Sequence, residues 1–347
     1  MRDDLVNAFH TQSRACRELG SPFMARLMQL LPGLVPPGSA LAERLDSTPG
    51  DPGPSGASLP LRLAGGLHHL VLTRADPGLI SAWPPAQTAD LAETVASALC
   101  RHEQMLTDWI RHAPQTNEVG RSAVILPAAA EAMARFGLPL RLSELGASAG
   151  LNLNFHRYAL DAVGVSCGAP DPVLRLAPAW TGAPPRPGAV AVAEARGVDL
   201  NPLSPLTDGL RLLSYIWPDQ LDRLSRMRAA LAAAEAHPPA VDQGEAADWL
   251  EVRLADTWEG QCHFVYHTIA LQYFPTASQQ RIRRAMAQAA ARATTRAPLA
   301  WLSMEADGRP DGAAVTLRMW PGDTTSTARA GFHGQWVRTT EETKAPA

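Results

Sequence analysis

The densest chemistry in the chain is Ser143-Glu144-Leu145-Gly146-Ala147-Ser148-Ala149-Gly150-Leu151-Asn152, where the apolar run LPLRLSEL gives way to small residues. Two chemistries fit these letters. As a ligand loop, Gly146 and Gly150 let the backbone approach a bound molecule, and Glu144 at the strand end accepts hydrogen bonds from a cationic or hydroxylated group. As a nucleophile elbow, GASAG satisfies GxSxG, with Ser148 on a strand-to-helix turn and helix N-terminal amides available for an oxyanion. A hydrolase also needs an acid and then a histidine after the serine, an order that Asp307 or Asp311 followed by His333 meets. A carboxylate as near as Glu144 opposes any site that must stabilise negative charge, so the ligand loop is the stronger reading.

Nucleotide-holding α/β sheets make further demands, and the chain meets them in order. After a second strand, ARGVDLNPL offers Asp199 to ribose hydroxyls; after a third, VDQGEAADWL offers Glu245, or Asp242, to an adenine edge. After a fourth, YHTIALQYFP delivers His267, Thr268, Gln272 and Tyr273 to a reaction site, with His267 as general base because its ordinary pKa lies near neutrality. Ahead of the first strand, QTNEVGRSA packs Asn117, Glu118 and Arg121 into one segment. There Asn117 caps a helix or joins the catalytic set, and Arg121 is expected to clamp a carboxylate. Asn152 and Asn154 cap the following helix or face the ligand, and Trp217, Tyr266 and Tyr273 could turn π-faces to a cation. No metal is expected, because His263 and His267 in HFVYH lack the glutamate of an HExxH zinc helix. Adjacent His68 and His69 should point apart and serve packing or surface.

These residues need a scaffold, and apolar periodicity supplies one. Residues 1–130 are expected to form a helical cap domain, beginning with LVNAFHTQSRACRELG. Gly20-Ser21-Pro22 ends that helix and caps the next, PFMARLMQLL, and the turn formers from Ser47 to Ser58 make an exposed loop. Further helices are expected near Leu61–Leu72 and Ala89–Ile110. Residues 131–347 alternate: strand 138–144, helix from 149, strand 190–199, helix 206–216, a long Ala/Arg/Leu helix, a weak strand 240–242, strand 262–268, helix 277–295 and strand 298–304. A terminal strand pair, AVTLRMW and HGQWVRT, completes an α/β sheet that is parallel with an antiparallel edge. Gly164–Pro187, rich in Pro and Gly, is expected as a surface excursion that stretches the gap between Glu144 and Asp199.

Composition narrows the classes. With 347 residues the chain has room for about two domains. At 46% hydrophobic and 19% charged it reads as globular. A formal net charge of −3, with scattered basic residues, gives no footprint for nucleic acid. Lacking a signal-like h-region or a long apolar run, it is expected to be cytoplasmic and to leave membranes alone. Cys16, Cys100, Cys167 and Cys262 follow neither a disulfide nor a zinc spacing and are expected as reduced core residues.

The order of elements, the ELGASAGLN loop and the terminal strands resemble the Rossmann-like fold of class I S-adenosylmethionine-dependent methyltransferases. RELGSPF, QTNEVGRSA, LSELGASAGLNLNFHRY, RGVDLNPL, YIWPDQLDRL, VYHTIALQYF and HGQWV more closely resemble an uncharacterised bacterial family, catalogued as a domain of unknown function. That resemblance spans residues 9–338. It implies that Glu144, Gly146 and Gly150 hold the methionine part of the cofactor, Asp199 the ribose and Glu245 the adenine, with Ser148 where such loops often have a third glycine. It implies methyl transfer to a small molecule under a helical lid, with Glu118 and Arg121 at the substrate. The rivals are an intramolecular ring closure that releases methylthioadenosine and an azetidine, a non-catalytic cofactor sensor, and the Ser148 hydrolase. Acceptor and oligomeric state stay open.

Overall fold

A computed structural model describes residues 1–54 and 56–339. The described chain divides into two compact units, one of Met1–Thr116 with Thr207–Arg228, the other of Asn117–Leu206 with the described residues from Ala229.

The first unit is helical: α1 (Asp3–Glu18), α2 (Pro22–Leu34), α3 (Ala40–Ser47), α4 (Leu59–Leu72), α5 (Pro77–Ala82), α6 (Leu91–Arg101) and α7 (Glu103–Trp109). In α1 the buried residues Leu5, Ala8, Phe9, Gln12, Ser13 and Cys16 recur at three to four residues and form one face. Gly20 takes a left-handed φ of 80°, Ser21 accepts the Met24 N–H, and Pro22 opens α2, so the local cap signals act as expected. The expected helix from Ala89 to Ile110 is broken at His102, whose Nε2 lies 3.0 Å from Asp76 Oδ2, the cap of α5. Trp217 packs into this helical core. His68 and His69 converge, their Nδ1 atoms each 3.3 Å from Ser214, one at its carbonyl and one at its hydroxyl. Three cysteines are buried and Cys100 is exposed.

The second unit carries α8 (Ser122–Phe136), then β1 (Leu140–Leu145), β2 (Ala159–Ala162), β3 (Val165–Gly168), β4 (Arg175–Leu176), β5 (Ala179–Thr181) and β6 (Val192–Asp199). Helices α9 (Pro205–Ser214) and α10 (Leu221–Ala236) contain residues of both units. The alternation resumes with β7 (Ala240–Gln243), α11 (Ala246–Arg253), β8 (Cys262–Thr268), α12 (Thr276–Arg292), β9 (Leu299–Glu305), β10 (Ala313–Trp320), β11 (Thr324–Ala330) and β12 (Trp336–Thr339). Nine strands form one mixed sheet in the order β5-β12-β11-β10-β9-β8-β1-β6-β7. From β7 to β9 every pair is parallel, and from β9 to β12 every pair is antiparallel. The central β1 and β8 are buried at every residue, whereas β10 alternates, as expected for a centre covered on both faces and a flank covered mainly on one. On one face α11 and α12 pack through Leu250, Leu254, Ile282 and Met286 onto Leu145, Val198 and Val265.

In this unit two expectations change and a third is refined. The expected helix from 149 is a 3-10 run, Leu151–Arg157. The excursion around 164–187 does lie mostly at the surface, but it is built of strands: β2 and β3 make a hairpin whose turn, Val163-Gly164, has φ of 51° and 75°, and β5 pairs with β12 at the edge of the large sheet. The expected terminal pair is three strands, because β11 lies between β10 and β12.

Candidate functional site

The chain leaves β1 for β6 and β7 on one side, then crosses to β8 and β9 on the other. Sheets of this kind bind ligands beyond the C-terminal strand ends where the order reverses, here between β1 and β8. Glu144 on β1 and Tyr266 on β8 are register partners across that line.

Glu144 is 2% exposed and makes no ion pair among the described residues. Its Oε2 lies 3.2 Å from the Tyr266 hydroxyl. Burial pushes its pKa up to about 8; the Tyr266 hydrogen bond opposes this, the charge of Asp199 adds to it, and Arg121 counteracts it. An acid so displaced at the end of a central strand marks a candidate site.

After Glu144 the backbone turns sharply. Gly146 and Gly150 each have φ of 71°, and Ser148, with φ of 55°, takes the same left-handed form with a side chain attached. Asp199, at the end of β6, holds this turn: its Oδ2 accepts the Ser148 N–H at 2.8 Å, and its Oδ1 accepts the Asn201 N–H at 2.9 Å. Val198 O takes the N–H groups of Gly146 and Ala147, Ala147 O takes that of Gly150, and Asn117 Oδ1 takes that of Leu151 at 2.7 Å. The turn's backbone donors are therefore largely consumed inside the protein, while carboxylate acceptors surround it.

The glycines have a packing reason that the sequence hid. A Cβ on Gly146 would stand 2.6 Å from Ala270 Cβ, and one on Gly150 would stand 2.7 Å from Pro239 and Val241. Gly146→Ala is accordingly expected to cost about 2–3 kcal/mol, left-handed strain plus the clash. Urea unfolding checks this; a loss below about 1 kcal/mol would mean that Ala270 can move aside.

Several side chains expected at the site are engaged in contacts within the protein. Asn117, 4% exposed, caps the 3-10 run through Leu151. Asn152 accepts the Ser122 hydroxyl at 2.8 Å and donates to Glu118 O, and Glu118 Oε1 accepts the Gly120 N–H. Arg121 donates to the carbonyls of Thr268 and Phe332, both at 3.0 Å, so main-chain oxygens engage the fork expected to clamp a carboxylate. Glu245 caps α11 through the Asp248 N–H, and Asp242 is held by Arg196 and Trp249. Tyr273 stands 71% exposed. His267, expected as general base, is wholly buried; its Nδ1 lies 2.6 Å from Glu305 Oε1, and its Nε2 is buried without a hydrogen bond. Glu305 also accepts the N–H groups of Ala270 and Leu271, holding the turn that follows Ile269, a β-branched residue at φ of 50°.

The elbow reading loses its parts. Ser148 Oγ is buried with no hydrogen-bond partner among the described residues, so no histidine is in place to activate it, and of the turn's amides Gly146, Ala147, Ser148, Gly150 and Leu151 are bonded internally, which leaves the Ala149 N–H alone. Asp307 and Asp311 both pair with Arg329. A Ser–His contact that the sequence did not suggest, Ser143 Oγ to His263 Nε2 at 2.8 Å, is buried further down β1 and β8. Arg253 donates to that same hydroxyl, and burial together with Arg253 and Arg141 holds His263 down at about 3, neutral and structural. Among the described residues no group of three or more His, Cys, Asp or Glu could hold a metal ion, and no helix is long and apolar enough to cross a membrane.

Comparison with the curated proteins and with the solved structures gives no match. Across residues 6–339 the chain matches the family described as "Uncharacterized protein conserved in bacteria (DUF2332)", and it belongs to that family.

Proposed function

We propose that the strand ends of the sheet-bearing unit hold S-adenosylmethionine, and that the protein is an enzyme passing a group from it, most simply the methyl, to a small molecule. The observation carrying this reading is the imbalance at the turn after β1: its backbone donors, that of Ala149 aside, are bonded internally, while Glu144 and Asp199 offer acceptors. An anion such as a phosphate needs donors there; a sulfonium, an ammonium and ribose hydroxyls need acceptors. The strand order is part of the same proposal, since five parallel strands followed by antiparallel ones suit a Rossmann-like class I methyltransferase sheet.

The residues fit the cofactor on their own terms. Among the described residues Glu144 is a buried acid with no cation paired to it, and Ser148 Oγ is a buried polar atom with no hydrogen bond. When bound, the sulfonium supplies an activated carbon. The protein's share is to fix it in line with a nucleophile and keep water away. Asp199 braces the turn and keeps lone pairs for hydroxyl donors, and Arg121 pins the 119–121 segment to the Thr268 carbonyl at the end of β8.

Thermal unfolding with and without S-adenosylmethionine tests this. Ligand at about 100 times its dissociation constant should add about 2.7 kcal/mol, and Asp199→Ala should abolish that increment. An absent shift in the unaltered protein overturns the proposal. Given a shift, the spent nucleoside separates the activities: S-adenosylhomocysteine marks methyl transfer, methylthioadenosine marks ring closure, and unchanged cofactor marks a sensor.

A further inference from the structure

Tyr266 has one phenolic proton and two neighbours that can accept it: Glu144 Oε2 at 3.2 Å and the Asn152 carbonyl at 3.3 Å. With Glu144 ionised, the proton satisfies one contact and leaves the other without a donor. With Glu144 protonated, the acid donates to the phenol and the phenol donates to the carbonyl, so both contacts are made. Both side chains are buried, Tyr266 completely, at the line where the strand order reverses.

We infer that Glu144 and Tyr266 form a proton-holding pair that makes this site selective for a cationic group, the acid releasing its proton as the cation arrives. This rests on the reading of the site as one for S-adenosylmethionine. The exchange is balanced: one positive group enters, one proton leaves to the buffer, and the buried charge stays as it was. Placing either an anion or a lone cation in the same interior would add an uncompensated charge at high cost. A neutral ligand would displace no proton.

The surroundings keep the proton on Glu144 until then. Facing it are Tyr266 from β8, Asp199 from β6, Arg121 from the 119–121 turn, and Tyr158, whose hydroxyl donates to Leu151 O after the 3-10 run. Burial dominates and holds the acid up at about 8, so it is mostly protonated at neutral pH. Burial also raises the Tyr266 phenol well above its ordinary range, so the phenol passes on a hydrogen bond without ionising.

Two measurements test the pair. In the protein without ligand, infrared spectra at neutral pH should contain a protonated-carboxyl carbonyl band that Glu144→Gln removes; no difference between the two proteins overturns the inference without any ligand. Calorimetric titration with S-adenosylmethionine, in buffers of differing ionisation enthalpy, should count about one proton released, with affinity rising about tenfold per pH unit below about pH 8. In Glu144→Gln the proton count should fall to zero and the slope vanish, and methylthioadenosine, which carries no cation, should release none. Binding of S-adenosylmethionine without proton release overturns the pair and leaves the cofactor reading standing. No binding at all removes the reading on which the pair rests, and the pair with it.

Discussion

Glu144→Gln should leave stability nearly unchanged at about pH 4 and raise it by several kcal/mol above about pH 8, with an upper bound of about 5 at roughly 1.36 kcal/mol per pKa unit. The sign follows from a folded-state pKa lifted from 4.5 to about 8, mainly by burial. Such a group favours the fold fully below its unfolded pKa, and that contribution drains away as pH rises through the folded value. Glutamine keeps the shape, accepts from Tyr266 and never ionises, so the variant escapes the penalty. Urea unfolding of both proteins from about pH 4 to pH 9 measures the difference; parallel curves would mean that Glu144 ionises normally in the fold. A natural protein that keeps a destabilising acid where glutamine would suit the fold better points to a use for the charge.

Glu305→Ala should cost about 3–5 kcal/mol, because one carboxylate serves His267 Nδ1 at 2.6 Å and the Ala270 and Leu271 N–H groups at 3.1 Å each. Burial works to raise the Glu305 pKa, but His267 and the amides outweigh it and hold it low. This contribution therefore persists above the ordinary carboxylate range and is lost as pH falls through the depressed value, the opposite of Glu144. Removing the carboxylate also releases the turn after strained Ile269, so on the proposed function S-adenosylmethionine affinity should weaken together with stability. A loss of less than about 1 kcal/mol in urea unfolding would show that the turn holds without its clamp.

Local signals made much of the scaffold legible. Ser21 and Pro22 announce α2 because capping is settled within a few residues, and β8 was placed at its observed bounds because a strand covered on both faces reads as one apolar run. TTSTARA at β11 has no apolar alternation, and its strand state comes from pairing with β10 and β12, which a single segment does not encode. The chemistry followed the same divide. Glu144 and Asp199 were readable as acids at strand ends. Which groups would occupy them was not: Ser148 and Asp199 meet across 51 residues, and His267 and Glu305 across 38. The expected strand stops one residue short of Glu305, so the carboxylate partner of His267 stays hidden.

The most direct measurement is a crystal structure of the protein with S-adenosylhomocysteine at saturating concentration. Its density is expected at the C-terminal ends of β1 and β6, with ribose hydroxyls against Asp199 and the amino-acid part against Glu144. A well-ordered protein with no nucleoside there, or with the nucleoside bound among the helices of the other unit, would contradict it.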